Sequence, residues 1–148
     1  MSARSAQHIS RGRHDGSGSV TTFVVLTLLL VVPGYALSEL AARVDWRVLI
    51  GAPLVLSAFT FVAYRSDKRR AEAGASRFPE STLHVAELIG GWPGAYFAQR
   101  IFRHKTAKTS FQVVFWMIVL AHQLVAADSL IGWRFTKSAL HFIKSQTA

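Results

Sequence analysis

The sequence predicts an all-α integral membrane protein, and two observations lead to that class. First, three long runs without a single Lys or Arg occupy residues 20–37, 48–64 and 111–133. A helix needs about 20 mainly apolar residues to cross the hydrocarbon core of a bilayer, so each run is near spanning length. Second, all 17 Lys and Arg residues lie outside these runs, which is the distribution that orients membrane proteins.

The composition narrows the possible functions. The 148 residues have room for one domain, and an apolar content of 51% accompanies a net charge of +9. Such a charge is typical either of contact with anionic lipid headgroups or of nucleic-acid binding. We favour the first because the basic residues flank the apolar runs. The chain has no cysteine, which excludes disulfides, thiolate chemistry and cysteine metal sites.

The first part of the chain is predicted to be a disordered basic leader (1–19) followed by a spanning helix (20–37). Pro33-Gly34 should kink or end this helix near its far side, which membrane helices tolerate. A cleaved signal peptide is the alternative, but the long leader and the Leu-rich core argue against it. The short loop that follows makes the second span (48–64) antiparallel to the first.

The last part is predicted to contain a third span (111–133) and an amphipathic tail (134–148), so that residues 20–133 form the membrane domain. The basic side chains of the tail recur every three or four positions, at Arg134, Lys137, His141 and Lys144. Apolar residues lie mostly between them. This pattern is typical of a helix that lies on an anionic membrane surface.

Residues 81–102 form the ambiguous element. Pro79 and Glu80 are typical of a helix start, but the run Gly-Gly-Trp-Pro-Gly at 90–94 interrupts the apolar pattern. Small residues recur every four positions, at Gly90, Gly94 and Ala98. Such a face favours close helix packing in a membrane, within the chain or between copies of it. We therefore predict a fourth hydrophobic helix that is kinked or re-entrant and packs closely on a neighbour.

Two topologies are open at this stage. If residues 81–102 cross the membrane, 11 Lys and Arg residues lie on the side of the N-terminus and 6 on the other; if they return, the numbers are 12 and 5. Both distributions place the N-terminus in the cytoplasm. The basic tail slightly favours the crossing, because anionic lipid attracts basic segments on the cytoplasmic side.

Glu80, His84 and Glu87 lie at positions i, i+4 and i+7, on one face of a helix. Such a face can bind a divalent metal or relay a proton. The alternative is structural, with an ion pair between Glu80 and His84 and a pair between Glu87 and a basic residue such as Arg103. We favour this alternative and expect no metal site, because two carboxylates and one histidine outside a motif are weak evidence.

A second polar set follows the second and fourth hydrophobic segments. It comprises Asp67, Lys68, Arg103, His104, Lys105 and Lys108. If residues 81–102 return to their starting side, this set forms one pocket that suits the phosphate of a lipid headgroup or nucleotide. We also predict that Asp67 pairs with a residue of the 103–108 segment. The alternative, which we favour over the pocket, is that the basic residues only anchor the chain at the cytoplasmic surface.

Four ordered motifs extend over about 48 residues. They are Tyr64, Asp67, Lys68 and Ala71; Arg77, Pro79, Glu80, Leu83 and His84; Gly90, Gly91, Pro93 and Gly94; and Phe102, Arg103, His104, Lys105, Thr106, Lys108 and Phe111. This central stretch resembles a bacterial family of small membrane proteins catalogued as domain of unknown function 1294. The resemblance implies a membrane location and no established activity. Some members resemble fusions with an N-terminal cold-shock domain, but residues 1–19 are too short for one, so nucleic-acid binding is not carried over.

We therefore expect a non-enzymatic membrane protein whose basic cytoplasmic face contacts anionic headgroups or a phosphate-bearing ligand. The alternative is a small membrane enzyme or a proton-coupled transporter that uses Glu87, His84 and Asp67. A membrane-tethered nucleic-acid binder is a weaker one. The sequence contains no Walker loop, dinucleotide-binding glycine motif or Ser-His-Asp order. It thus indicates no cofactor and identifies no catalytic residue.

Overall fold

The computed structural model describes residues 16–76 and 78–146, and these residues form six α-helices. They are α1 (Gly16–Leu40), α2 (Trp46–Glu72), α3 (Glu80–Ala86), α4 (Trp92–Phe102), α5 (Thr109–Leu130) and α6 (Arg134–Gln146). A π-helical turn, Glu87–Gly91, joins α3 to α4. The two described ranges contain no β-strand, which confirms the all-α prediction. Residues 1–15 of the predicted leader, Arg77 and residues 147–148 lie outside them.

Three of these helices are long and apolar enough to cross a membrane. The qualifying segments are Gly18–Leu40, Trp46–Glu72 and Thr109–Leu130. Large apolar side chains such as Phe23, Val55 and Met117 point outward from them and are more than half exposed. Lipid tails accommodate such surfaces, whereas a soluble monomer rarely exposes contiguous apolar area of this extent. The three helices agree in number and order with the three predicted spans.

α3 and α4 form a hairpin instead of one continuous helix. α3 and the π-helical turn lead away from the end of α2, and α4 returns to it, because Phe78 and His104 both contact Asp67. We call this end of the bundle the Asp67 end, and the end with the turn at residues 41–45 the opposite end. The two arms have 12 and 11 residues. At about 1.5 Å per residue the hairpin is about 17 Å deep, roughly half of a hydrocarbon core.

The chain reverses at Gly90. Its φ of 122° is a conformation that residues with a Cβ atom rarely adopt. Pro93 follows in the first turn of α4, where a backbone N–H would have no intrahelical acceptor, so its missing donor is tolerated. The break that the sequence predicts within residues 90–94 therefore occurs at the first residue of that range.

Two further glycines allow the hairpin to pack directly on α2. A Cβ atom on Gly94 would lie 1.9 Å from the carbonyl oxygen of Ser57. One on Gly91 would lie 1.9 Å from the hydroxyl oxygen of Thr60. Small residues are the usual means by which membrane helices approach so closely. The close contact predicted for these small residues is therefore made inside the chain, against α2.

The apolar core lies between α2, the hairpin and α5. Its largest fully buried apolar side chains are Tyr64, Leu83, Tyr96, Phe111 and Phe115. α1 packs along α5 and also contacts α4. The amide of Gln123 on α5 donates a hydrogen bond of 2.8 Å to the carbonyl of Leu29 on α1. This arrangement places the core in the half of the bundle near the Asp67 end.

Asp128, near the end of α5, fixes the start of α6. Its carboxylate accepts hydrogen bonds from the backbone N–H of Phe135 (2.9 Å) and of Thr136 (3.1 Å) and from the Thr136 hydroxyl (2.6 Å). A carboxylate at a helix N-terminus satisfies backbone donors that have no partner within the helix. α6 extends from this junction with every residue exposed, and it occupies the predicted amphipathic tail.

Gly94→Ala is expected to lower the free energy of unfolding by about 1–3 kcal/mol, because the added Cβ atom overlaps the Ser57 carbonyl and forces the two helices apart. Gly51→Ala on α2 is the matched control, because its Cβ atom would meet nothing within 4 Å. That change should be neutral or stabilising by up to about 1 kcal/mol through helix propensity. Thermal unfolding in detergent measures both variants, and equal stability would contradict the close packing.

Candidate functional site

Asp67 is the point at which three segments of the chain meet. It lies in the last turns of α2, and its side chain is fully buried. One carboxylate oxygen accepts a hydrogen bond from the backbone N–H of Phe78 (2.9 Å), and the other accepts one from the Nε2–H of His104 (2.8 Å). The Nζ of Lys105 lies 3.9 Å from the second oxygen. Because a buried carboxylate requires such partners, Asp67 connects the entry and the exit of the hairpin to α2.

A second carboxylate connects the hairpin to the turn that precedes α5. The two oxygens of Glu80 lie 2.8 Å from Nζ of Lys105 and 2.7 Å from Nζ of Lys108. Hydrogen bonds from Lys105 and then Lys108 lower the pKa of Glu80 to about 2. The Glu80 side chain is 32% exposed, so water screens these pairs partly. We call the residues that make these contacts the Asp67 cluster: Asp67, Phe78, Glu80, His104, Lys105 and Lys108.

The backbone after α4 directs two side chains toward the Asp67 cluster. Arg103 and Lys105 have φ angles of 47° and 65°, in the left-handed region that residues other than glycine rarely adopt. Lys68 supports this turn, because its Nζ donates a hydrogen bond of 2.9 Å to the carbonyl of Phe102. Backbone strain of this kind persists only where surrounding contacts enforce it. The turn thereby presents His104 and Lys105 to the cluster.

A chain of hydrogen-bonded polar side chains runs through the hairpin next to the cluster. The Nδ1–H of His84 donates to Glu87 at 2.7 Å, and the hydroxyl of Tyr64 donates to the other Glu87 oxygen. Gln99 donates to the Tyr64 hydroxyl at 3.1 Å, and Gln112 donates to the side-chain oxygen of Gln99 at 2.7 Å. The hydrogen on Nδ1 of His84 is assigned from its partner, because a carboxylate oxygen that carries no proton can only accept. Helices α2, α3, α4 and α5 and the π-helical turn each contribute one residue.

Aromatic side chains separate this chain from its surroundings. The ring of Phe111 lies 4.2 Å from the His84 ring and packs edge-on against Tyr64 at 6.2 Å, measured between centroids. Tyr64 and Glu87 are completely buried. In such a low-dielectric environment a satisfied hydrogen bond is strong, and an unpaired polar group is strongly destabilising. These buried hydrogen bonds therefore stabilise one arrangement of the hairpin relative to α2 and α5.

The polar chain begins and ends at the Asp67 end. His84 lies one helical turn from the start of α3, and the amide of Gln112 donates a second hydrogen bond of 3.0 Å to the carbonyl of Lys105. Residues 48–63 of α2, which lead to the opposite end, carry no charged side chain. Thr60 within them donates to a carbonyl of its own helix. The described contacts can thus hold a proton locally, and they form no continuous polar path along α2 to the opposite end.

The structure brings most of the predicted site residues together. The predicted pairing of Asp67 with the 103–108 segment is present, through His104 and Lys105. Arg103 contributes the conformation of its backbone, and its side chain is exposed. The phosphate pocket, which the sequence favours less than simple anchoring, would have to include Lys105 and Lys108, and both of these lysines are paired with Glu80.

Glu80, His84 and Glu87 do not act together on one helix face. Glu80 belongs to the Asp67 cluster, whereas His84 and Glu87 belong to the buried polar side chains of the hairpin. The expected ion pair between Glu80 and His84 is wrong, because the Glu80 carboxylate points to the lysines that precede α5. The expected pairing of Glu87 with Arg103 is also wrong, because Glu87 bonds to His84 and Tyr64 inside the hairpin. In the described part of the chain, no group of three or more acidic or histidine side chains is arranged to hold a metal ion.

The remaining motif residues shape the backbone. Pro79 directly precedes α3, the run at 90–94 forms the reversal of the hairpin, and Arg77 lies outside the described residues. Sequence reasoning missed Gln99 and Gln112, which complete the polar chain. Each is a polar amide within an apolar helical segment. Because a buried amide requires a hydrogen-bond partner, this pattern could have indicated a buried polar contact.

These features define a class of protein. It is an all-α protein with three helices of spanning length and a helical hairpin that packs on the second of these helices. Residues 57–111 match the model of the family described as Protein of unknown function (DUF1294). The match confirms the resemblance to that family and contains the four motifs, the hairpin and the whole Asp67 cluster. This segment of the chain is similar to that family. No curated protein and no solved structure matches the chain.

Asp67→Asn should lower the free energy of unfolding by roughly 3 kcal/mol, because it leaves a buried ion pair without its charge. The effect should be smaller when His104 is already Gln, with a coupling of about 0.5–3 kcal/mol in a double-mutant cycle. Arg103→Gln is the control, because its exposed side chain is outside the cluster, and its effect should add to that of Asp67→Asn. Strict additivity for His104→Gln would contradict the pairing.

The ion pairs of Glu80 predict a pH dependence of stability. Its pKa is about 2 in the folded protein against 4.5 as the ordinary value, so the stabilisation is fully present above about pH 4.5 and is lost as the pH falls toward 2. Partial exposure limits it to about 1 kcal/mol. Wild-type protein should therefore exceed Glu80→Gln in melting temperature at neutral pH, and the difference should shrink below about pH 4.5 and vanish as the pH falls toward 2. A difference that does not change with pH would exclude the ionised pairs as its cause.

Proposed function

We propose that this chain is a multi-pass protein of the bacterial inner membrane, with its N-terminus and the Asp67 end in the cytoplasm. α1, α2 and α5 span the bilayer. The hairpin of α3 and α4 enters the cytoplasmic half of the membrane and returns. The opposite end and α6 then lie on the outer side, in contrast to the four-crossing topology that the basic tail slightly favours.

The observation that carries this proposal is the meeting of both ends of the hairpin at Asp67. Because the hairpin returns, the basic residues before and after it lie on one side. The division of Lys and Arg is then 12 to 5, compared with 11 to 6 for a fourth crossing. An excess of Lys and Arg marks the cytoplasmic side of membrane proteins, so the larger asymmetry supports this orientation.

The exposed arginines of the Asp67 end provide the proposed contact with the membrane surface. Arg65, Arg69 and Arg103 are exposed, and none of them forms an ion pair with another described residue. Basic residues next to a membrane attract anionic headgroups by about 1 kcal/mol each. Headgroups are favoured over a discrete phosphate-bearing ligand, because Lys105 and Lys108 are already paired with Glu80. The proposed role is therefore binding of anionic lipid at the cytoplasmic surface, without an enzymatic step.

The alternative role in proton transfer depends on the buried chain that contains Glu87 and His84. An intramembrane carboxylate paired with a histidine is a reasonable candidate for such chemistry. Asp67 is separate from that chain and bonds to His104 instead. The hydrogen-bonded series of polar side chains also begins and ends at the Asp67 end, which argues against proton transport across the bilayer. Proton flux into vesicles that is lost in Glu87→Gln would favour the alternative.

Single cysteines test the placement, because the natural chain contains none. Cysteines at Ala73 and Ala107 should be labelled from the cytoplasmic side by an impermeant thiol reagent, and one at Ala42 from the outer side. All three positions are exposed. Labelling of Ala107 from the same side as Ala42 would show that residues 81–102 cross the membrane, and would exclude the re-entrant hairpin.

Phosphatidylglycerol should stabilise the detergent-solubilised protein more than phosphatidylcholine does. Replacing Arg65, Arg69 and Arg103 together by glutamine should reduce this difference by up to about 3 kcal/mol at low salt, since each exposed cation contributes about 1 kcal/mol near an anionic surface. The same loss should appear in wild-type protein at high salt, because screening weakens exposed charge pairs. An unchanged lipid preference in the triple variant would contradict the proposed contact.

A further inference from the structure

A groove of about 720 Å³ lies between the hairpin reversal and the opposite end of the bundle. It exists because the hairpin separates α1 and α5 from α2 and extends only part of the way along them. α1 contributes Pro33 and Leu37 to its walls, α2 contributes Ala52, and α5 contributes Val125. Trp92, next to the hairpin reversal, also lines the groove. In the proposed placement the groove lies in the half of the bilayer that the hairpin does not enter.

The chemistry of the walls selects a hydrocarbon occupant. The polar side chains among them are His122 and Ser129, and both form hydrogen bonds within α5. The Nδ1 of His122 lies 2.8 Å from the carbonyl of Ile118, and the Ser129 hydroxyl donates to the carbonyl of Ala126 at 2.6 Å. The rest of the lining is apolar, and burial of apolar surface is the driving force for filling such a site.

Two arginines lie next to lining residues of the groove in the sequence, at its outer end. Arg47 directly precedes the groove residue Val48, and Arg134 directly follows the groove residue Trp133. Neither arginine forms an ion pair with a described residue. Of the acids at this end, Asp128 is occupied by the start of α6, and Asp45 accepts a hydrogen bond of 2.8 Å from the backbone N–H of Arg47. Glu39 directly precedes the groove residue Leu40 and forms no ion pair with a described residue. The Arg47 guanidinium lies 5.7 Å from the centre of the Trp46 ring, and neither Arg47 nor Arg134 has a carboxylate partner among the described residues, so both can pair with a phosphate.

We propose that this groove binds one acyl chain of an anionic phospholipid from the outer leaflet, with the phosphate against Arg47 and Arg134. A second copy of the protein in a two-fold dimer is a less suitable occupant, because it would bring the same cations against each other. The inference rests on the proposed membrane placement. It adds a specific lipid site on the side of the membrane away from the basic cytoplasmic face.

Tryptophan fluorescence tests the site, because the four tryptophans have distinct positions. A protein that retains only Trp116 reports contact with bulk lipid, because this side chain is exposed on α5. A protein that retains only Trp92 reports the groove, because Trp92 is 3% exposed and lines the groove. In each case phenylalanine replaces the other three. Both proteins are reconstituted in vesicles of phosphatidylcholine that contain a minor fraction of phospholipid with brominated acyl chains, which quench tryptophan at contact range.

We expect brominated phosphatidylglycerol to quench Trp92 more strongly than brominated phosphatidylcholine does, while both quench Trp116 equally. Arg47→Gln and Arg134→Gln should each lower the preference at Trp92 by about fivefold. Ala52→Leu narrows the groove and should remove most of the quenching of Trp92. Ala58→Leu is the matched control, because Ala58 is exposed on α2 and does not line the groove, so it should leave the quenching unchanged.

The outcomes separate the two proposals. Absence of quenching at Trp116 would overturn the membrane placement itself. Quenching at Trp116 without quenching at Trp92 would overturn the lipid site alone. Quenching of Trp92 that persists in Ala52→Leu would show that bromine reaches it by another route, and would also overturn the site. Equal quenching by the two lipids, unaffected by either arginine variant, would overturn the assignment of an anionic headgroup.

Discussion

The hydrogen bonds of one buried carboxylate connect the parts of this structure. Asp67 lies in α2, yet its two oxygens bind the backbone before α3 and a histidine after α4. A carboxylate removed from water must be matched by donors, and those donors are available only when the hairpin returns to its starting point. The hydrogen bonds of Asp67 therefore require the chain to reverse at Gly90 and bring Gly94 close to α2. They also place the basic residues before and after the hairpin at the same end of the bundle.

The buried polar chain has a different physical role from the Asp67 cluster. The cluster joins the ends of the hairpin near the surface, whereas His84, Glu87 and Tyr64 join its interior to α2. In an apolar environment helices have little hydrophobic reason to prefer one partner over another. Close packing at glycines and satisfied polar contacts then determine which surfaces meet. Both are present along the interface between the hairpin and α2.

The two ends of the bundle differ in how their charges are used. At the Asp67 end, lysines are paired with Glu80, and several arginines are exposed. At the opposite end, Asp128 is occupied by the start of α6, and the nearby arginines form no ion pair with described residues. The hairpin fills the space between α1 and α2 at the first end and leaves a groove at the second. One structural feature thus accounts for both proposed lipid contacts.

The sequence by itself determined the class, because long apolar runs and the distribution of Lys and Arg are local properties of the chain. It also determined the motifs around Asp67, the break near Gly90 and the family resemblance of residues 57–111. Only the tertiary structure decided that residues 80–102 return, since crossing and returning use the same residues and differ in which distant groups meet. The pairing of Glu87 with Tyr64 and of Glu80 with lysines could not be read from helical spacing, because each carboxylate found its partner on another segment.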